Sequence, residues 1–128
     1  MRYNLLVIDR SDLNLTETIM STLSREGFRV TNCSDHLEAL SKLAQLKPDL
    51  VILEEGLLVD SFEVCWQLRQ VLDVPVVILG EVPRATGWIK AVQSGADCYL
   101  AKPFYHSELV ARVKAILRRR EWNLVEDN

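Results

Sequence analysis

Five times along this chain a short, mainly apolar run is followed by a longer amphipathic segment, and that alternation restricts the fold more than any other feature. The first run is Leu5-Leu6-Val7-Ile8, and the segment after it, Ser11 to Arg25, reads as a helix. Ser11 is placed to cap it, Asp12 sits in its first turn, Leu15, Ile19 and Leu23 recur every four residues, and Gly27 ends it. The unit then repeats: Phe28 to Val30 as strand and Asp35 to Gln45 as helix, Leu50 to Leu53 and Ser61 to Val71, Val76 to Leu79 and Arg84 to Val92, Cys98 to Leu100 and His106 to Arg119. Runs such as Val76-Val77-Ile78-Leu79 show no polar alternation, as expected of strands covered on both faces, so the pattern predicts a parallel α/β sheet between helices. Pro75 fits as the residue where the fourth strand begins.

At 128 residues the chain has room for one domain, and 48% apolar with 26% charged residues is the balance of a globular one. A net charge of −3 gives no general attraction to nucleic acid, and the one basic cluster, Arg118-Arg119-Arg120, reads as a solvated helix terminus. Cys33, Cys65 and Cys98 are odd in number and without a CxxC pairing, which argues against a disulfide framework or a zinc site. No apolar run approaches the ~20 residues that span a bilayer. The expectation is a cytoplasmic protein that neither enters membranes nor binds nucleic acid directly.

In such a sheet the chemistry gathers at the carboxyl ends of the strands. Those corners are Asp9-Arg10, Glu54-Glu55, Gly80-Glu81 and Ala101-Lys102. Asp9-Arg10-Ser11-Asp12 stands where a dinucleotide site would carry G-x-G-x-x-G, and no Ser, His and Asp fall on adjacent strand ends. His36 and His106 lack ligand spacing, so no metal is expected through them.

The same corners carry a family resemblance. Leu5 to Arg10, Pro48 to Glu54, Pro75 to Gly80 and above all Gly95-Ala96-Asp97-Cys98-Tyr99-Leu100-Ala101-Lys102-Pro103-Phe104 resemble the successive landmarks of response-regulator receiver domains, over nearly the whole chain. Ser107 to Arg119 is similar to the last helix of the OmpR/PhoB-like class. The resemblance implies a flavodoxin-like (βα)5 doubly wound sheet of strand order 2-1-3-4-5, with a receiver over residues 1–120 and a tail or linker over 121–128.

Receivers of this family transfer a phosphoryl group to an aspartate at the end of the third strand, with magnesium held by that aspartate and an acidic pair after the first. Carried over, Asp9 matches the first acid of the pair, but Arg10 replaces the second, and a guanidinium has no lone pair for a metal. Glu54 falls on the phosphoacceptor position, Gly80 on that of a Ser or Thr contacting the phosphoryl oxygens, and Lys102 is retained. Two acids then face two cations where the family sets three acids against one lysine. The expectation is an atypical, non-enzymatic receiver without cofactor, in which Arg10 and Lys102 pair with Asp9 and Glu54. Glu55, Asp60 and Glu81 read as solvated loop acids, although the stretch from Glu54 to Phe62 is one residue shorter than usual and makes Glu55 a rival for the acceptor register.

In the family the fourth helix, fifth strand and fifth helix form the signalling face, with an aromatic on the fifth strand that turns inward on activation. Tyr99 matches it, and glycine at position 80 leaves more room for an inward ring. Asp97, Glu108, Arg112 and Lys114 partly match the charged set through which such receivers dimerise, Cys98 replaces a usual acid, and Trp88 stands where a base is common. Trp88 shares a stripe with Ala85, Ile89 and Val92, as fitting for a core edge as for an interface. The partners expected are a second copy, an effector domain or another protein. Two other classes stay open: residual phosphotransfer through Glu54, Glu55 or Asp60, and small-molecule sensing by the altered pocket.

Overall fold

The computed structural model describes residues 2–9, 13–56, 60–81 and 83–126, with the side chains of 13, 14 and 123–126 left aside. The strands are β1 (Asn4–Ile8), β2 (Arg29–Cys33), β3 (Leu50–Glu54), β4 (Val76–Gly80) and β5 (Cys98–Ala101). The helices are α1 (Leu13–Arg25), α2 (His36–Ser41), α3 (Leu43–Leu46), α4 (Ser61–Val71), α5 (Arg84–Ser94) and α6 (His106–Glu126). All strand pairs are parallel, in the order β2-β1-β3-β4-β5, which is the flavodoxin-like order expected.

Strand parity divides the interior into two cores. Leu5, Val7, Leu50, Ile52, Val77, Leu79, Cys98 and Leu100 face Ile19 and Leu23 of α1 and Leu109, Val113 and Leu117 of α6. Leu6, Ile8, Val51, Leu53, Val76, Ile78 and Tyr99 face Ala39, Leu43, Val64, Cys65, Leu68 and Ala91 on the other side. β3 and β4 are buried at every position, which explains their unbroken apolar sequence.

Three elements depart from the sequence expectation. β2 is an edge strand, and it begins one residue later than expected and runs on through Thr31, Asn32 and Cys33, whose polar members hid it. The helix expected over Asp35 to Gln45 breaks at Lys42 (φ −105, ψ 4), where the Ser41 hydroxyl donates to the Glu38 carbonyl at 2.8 Å and competes with the helical ladder. α6 continues past Arg119 to Glu126, through a stretch without Gly or Pro, so part of the expected tail is helical and the arginine cluster is not at the helix end. Within that cluster Arg120 pairs with Asp73 at 3.7 Å. The Ser11 cap and Asp12 lie outside the described residues.

Candidate functional site

The parity that divides the core also divides the site. One residue past their strands, Asp9, Glu81 and Lys102 keep the alternation of Val7, Leu79 and Leu100 and so lie toward α1 and α6, as does Glu54 after Ile52. Gly80 and Tyr99 share the opposite face, and Glu55 follows Leu53 onto it.

On the first side the centre is Lys102. Its backbone N–H donates to the Gly80 carbonyl at 2.8 Å, which extends the β4–β5 pairing and fixes where the side chain starts. Its Nζ then stands 2.5 Å from Glu54 Oε1 and 2.8 Å from Glu81 Oε1. Glu54 itself is only 8% exposed, and its carbonyl accepts from the Ser61 hydroxyl at 2.9 Å, tying β3 to the start of α4. Burial alone pulls the Lys102 ammonium toward deprotonation, but the hydrogen bonds and charges of Glu54 and Glu81 outweigh it and hold its pKa above the usual value. The expected Glu54–Lys102 pair is therefore present. Glu81, expected to be a solvated acid, joins it.

Asp9 is 2% exposed, and its N–H donates to the Cys33 carbonyl at 3.1 Å. The Thr16 hydroxyl donates to its Oδ2, and the Asn32 amide donates to its Oδ1 at 2.9 Å and to the Val7 carbonyl at 3.1 Å. Neither Thr16 nor Asn32 was expected at the site. Arg10, with its expected pairing to Asp9, lies outside the described residues. Among the described acids Asp9 accepts hydrogen bonds on both oxygens and Glu54 is paired through one. No group of three or more His, Cys, Asp or Glu among the described residues is arranged to hold a metal ion.

The two remaining loop acids also have defined work. Asp60 caps α4 by accepting from Phe62 N at 2.9 Å. Glu55 extends the β3–β4 pairing through its N–H to the Leu79 carbonyl at 2.7 Å, and its Oε1 accepts from the Tyr99 hydroxyl at 3.2 Å.

Tyr99 points inward at 5% exposure, its ring stacked on Phe62 at 6.3 Å between centroids. A side-chain carbon on either Gly80 or Gly87 would overlap that ring. The room expected at position 80 is thus filled, and Gly87 supplies a second half of the space that sequence reasoning missed. A glycine inside a helix, costing about 1 kcal/mol relative to alanine, was the signal that something approaches closely there.

The broken second helix makes α5 the expected fourth helix and α6 the expected fifth. On the α5–β5–α6 face Trp88, Ile89 and Val92 are 48%, 59% and 59% exposed, so the stripe is a surface and not a core edge. Asp97 caps the start of β4, accepting from Val76 N at 2.8 Å, and pairs with Arg69 at 3.7 Å. Lys114 pairs with Glu26, the residue after α1, at 2.6 Å. Glu108 and Arg112 are exposed and form no ion pair among the described residues.

Known proteins place this arrangement. The chain is 39% identical over 122 residues to the DNA-binding response regulator MtrA of Mycobacterium tuberculosis, covering 94% of this chain and 53% of that protein. It is 40% identical over 123 residues to the alkaline phosphatase synthesis transcriptional regulatory protein PhoP of Bacillus subtilis, covering 94% and 51%. It thus spans about half the length of the curated relatives it matches. Among solved structures, a two-component response regulator from Clostridium difficile superposes with a TM-score of 0.85 at 32% identity, covering 92% of this chain and 98% of that one. Residues 5–114 match the model of the response regulator receiver domain, which takes in β1 from Leu5, all of β2 to β5 and all four corners, and the chain belongs to that family.

Proposed function

We propose that this chain is an atypical receiver that signals without aspartate phosphorylation, through its α5–β5–α6 face, to an attached effector domain or a partner protein. The observation that carries the reading is Glu54: the residue at the phosphoacceptor position is a glutamate whose carboxylate is held 2.5 Å from Lys102, inside a cluster where Asp9 is already bonded to Thr16 and Asn32. A phosphoryl transfer needs a carboxylate free for in-line attack and a cation on the transferring group. Here the cation and the carboxylate satisfy each other, and Glu55 and Asp60 are engaged elsewhere. The site acts as a structural pin for the strand-end loops and not as an enzyme.

The output side rests on separate observations. Trp88, Ile89 and Val92 form an exposed apolar strip on α5, and Glu108 and Arg112 of α6 are exposed without an ion pair among the described residues, so both sets remain available for a partner across a two-fold axis. The DNA-binding and transcriptional roles in the names of MtrA and PhoP support regulation of transcription through an effector domain, and a net charge of −3 supports a receiver that does not itself contact DNA. No described helix is long and apolar enough to cross a membrane.

Incubation with acetyl phosphate and magnesium, followed by intact mass, tests the reading, together with a beryllofluoride titration followed by backbone amide shifts. Unchanged mass and no site-specific shifts are expected. A phosphoryl adduct, or saturable shifts around Asp9, Glu54 and Lys102, would overturn it.

A further inference from the structure

We infer that Gly80 and Gly87 form a fixed seat for Tyr99, so that the ring is inward in the resting, unmodified protein and the α5–β5–α6 face is held in one state by backbone shape. The inference rests on the phosphorylation-independent reading above and supplies what that reading lacks, a cause for the setting of the output face.

Four contacts define the seat. Its floor is made by two backbones, the end of β4 at Gly80 and the first half of α5 at Gly87, where a side-chain carbon would fall inside the phenol group. Neither glycine has the positive φ that would by itself demand glycine, whereas Gly27, Gly56 and Gly95 do. Ring room is therefore the reason for both. The wall is Phe62 of α4, stacked on Tyr99 at an interplanar angle of 20° and covered in turn by the Lys90 ammonium, 5.7 Å from its centroid. The rim is Glu55, which takes the phenol hydrogen at 3.2 Å, so the buried hydroxyl keeps a hydrogen-bond partner.

The seat bears on the face because Gly87 and Trp88 are consecutive residues of α5. An alanine at 87 or 80 has no place for its methyl group while the ring is in, and interiors this dense respond to one carbon atom. The ring must leave its seat or α5 must shift, and a shift of α5 moves Trp88, Ile89 and Val92 with the helix that carries them.

Incorporation of 3-fluorotyrosine labels Tyr3, Tyr99 and Tyr105, with Tyr99→Phe identifying the Tyr99 line by its loss. Tyr105, 82% exposed, is the internal standard for a solvated ring. In the unmodified protein the Tyr99 line should resist broadening by a soluble gadolinium chelate while the Tyr105 line broadens. Gly80→Ala and Gly87→Ala should each abolish that protection. Should either variant fail to fold, its combination with Tyr99→Ala should restore folding, because the space is then vacant. A Tyr99 line that broadens like Tyr105 in the parent protein, alanine variants that keep the ring protected, or no rescue by Tyr99→Ala would each overturn the seat. Beryllofluoride with magnesium separates the two readings. A protected and unmoved Tyr99 line beside saturable shifts at Asp9 and Glu54 supports the seat and sinks phosphorylation independence, whereas an exposed Tyr99 line with no beryllofluoride response sinks the seat alone.

Discussion

Lys102 Nζ stands 2.5 Å from Glu54 Oε1, joining the end of β3 to the residue that follows β5 across the width of β4. The pair sits at 20% and 11% side-chain exposure, dry enough that neither partner is well hydrated when the other is removed. Lys102→Met should therefore destabilise the fold by about 1–3 kcal/mol, the cost of leaving a buried acceptor unsatisfied. Glu81, the other partner, is 54% exposed, so Glu81→Gln should cost about 1 kcal/mol or less. Urea unfolding of the two variants checks the ordering, and an equal or reversed cost would show that the cluster is not centred on Glu54.

The same lysine gives a pH dependence of known sign. Its pKa is lowered by burial and raised further by Glu54 and Glu81, with a net displacement above the ordinary 10.5. The folded state thus binds the proton more tightly than the unfolded chain. The resulting stability is fully present below the unfolded pKa and disappears as pH rises through the folded one. The parent protein should lose stability above about pH 10.5 more steeply than Lys102→Met, measured as urea midpoints from pH 8 upward. Parallel curves would remove Lys102 from the alkaline limb.

Asp9 tests whether its cage holds the β1 corner. Thr16→Val keeps the shape of the side chain and removes the hydroxyl that donates to Asp9, and Asn32→Leu removes the other donor. Each should cost about 1–3 kcal/mol, since each removes a hydrogen-bond donor from a carboxylate that is 2% exposed. In the background of Asp9→Leu the Thr16→Val change should cost less, because the acceptor is gone. A double-mutant cycle from chemical denaturation reads that coupling directly, and strict additivity would show that the bond is not formed in solution.

The Glu54–Lys102 pair and the room for Tyr99 beside Gly80 were legible in the sequence, the first from the balance of two acids against two cations at the strand ends and the second from the resemblance that sets glycine at position 80 opposite the fifth-strand aromatic. Thr16 and Asn32 were not. Thr16 shows no apolar signal on α1, and Asn32 lies in an edge strand whose Thr-Asn sequence lowers its hydropathy, so β2 was read as ending before the residue that bonds to Asp9. The break between α2 and α3 was missed for a related reason, because a Ser41 hydroxyl bonding to its own helix leaves the apolar periodicity of the segment intact. Gly87 carried a signal that went unused, since helix propensity disfavours glycine there and only the packing of Tyr99 explains it.

The three cysteines should be nearly inert while the fold is intact. Cys33, Cys65 and Cys98 are all buried, and burial is the main cause that raises each thiol pKa and so keeps the reactive thiolate scarce. With Ellman's reagent at pH 8 the native protein should react slowly at all three and the urea-unfolded chain at once. The slow rate should rise with urea below the unfolding midpoint, because reaction then follows opening of the core. One fast thiol in the native state would show that the element covering it opens independently of the rest.

The α5 stripe separates stability from association. Ile89 is 59% exposed and contributes little to the core, so Ile89→Lys should change unfolding by no more than about 0.5 kcal/mol. The same charge placed among Trp88 and Val92 would have to be desolvated in any interface formed there, which disfavours docking far more than it disfavours folding. Leu37 is the control, because it is equally apolar and 63% exposed but lies on α2, beside the β2 edge and across the sheet from β5. Sedimentation velocity over a concentration series should show self-association, or binding to an effector domain, lost in Ile89→Lys and retained in Leu37→Lys, with matching urea midpoints. Association that survives Ile89→Lys and fails in Leu37→Lys would move the output surface to the opposite edge of the sheet, where neither Tyr99 nor its two glycines could influence it.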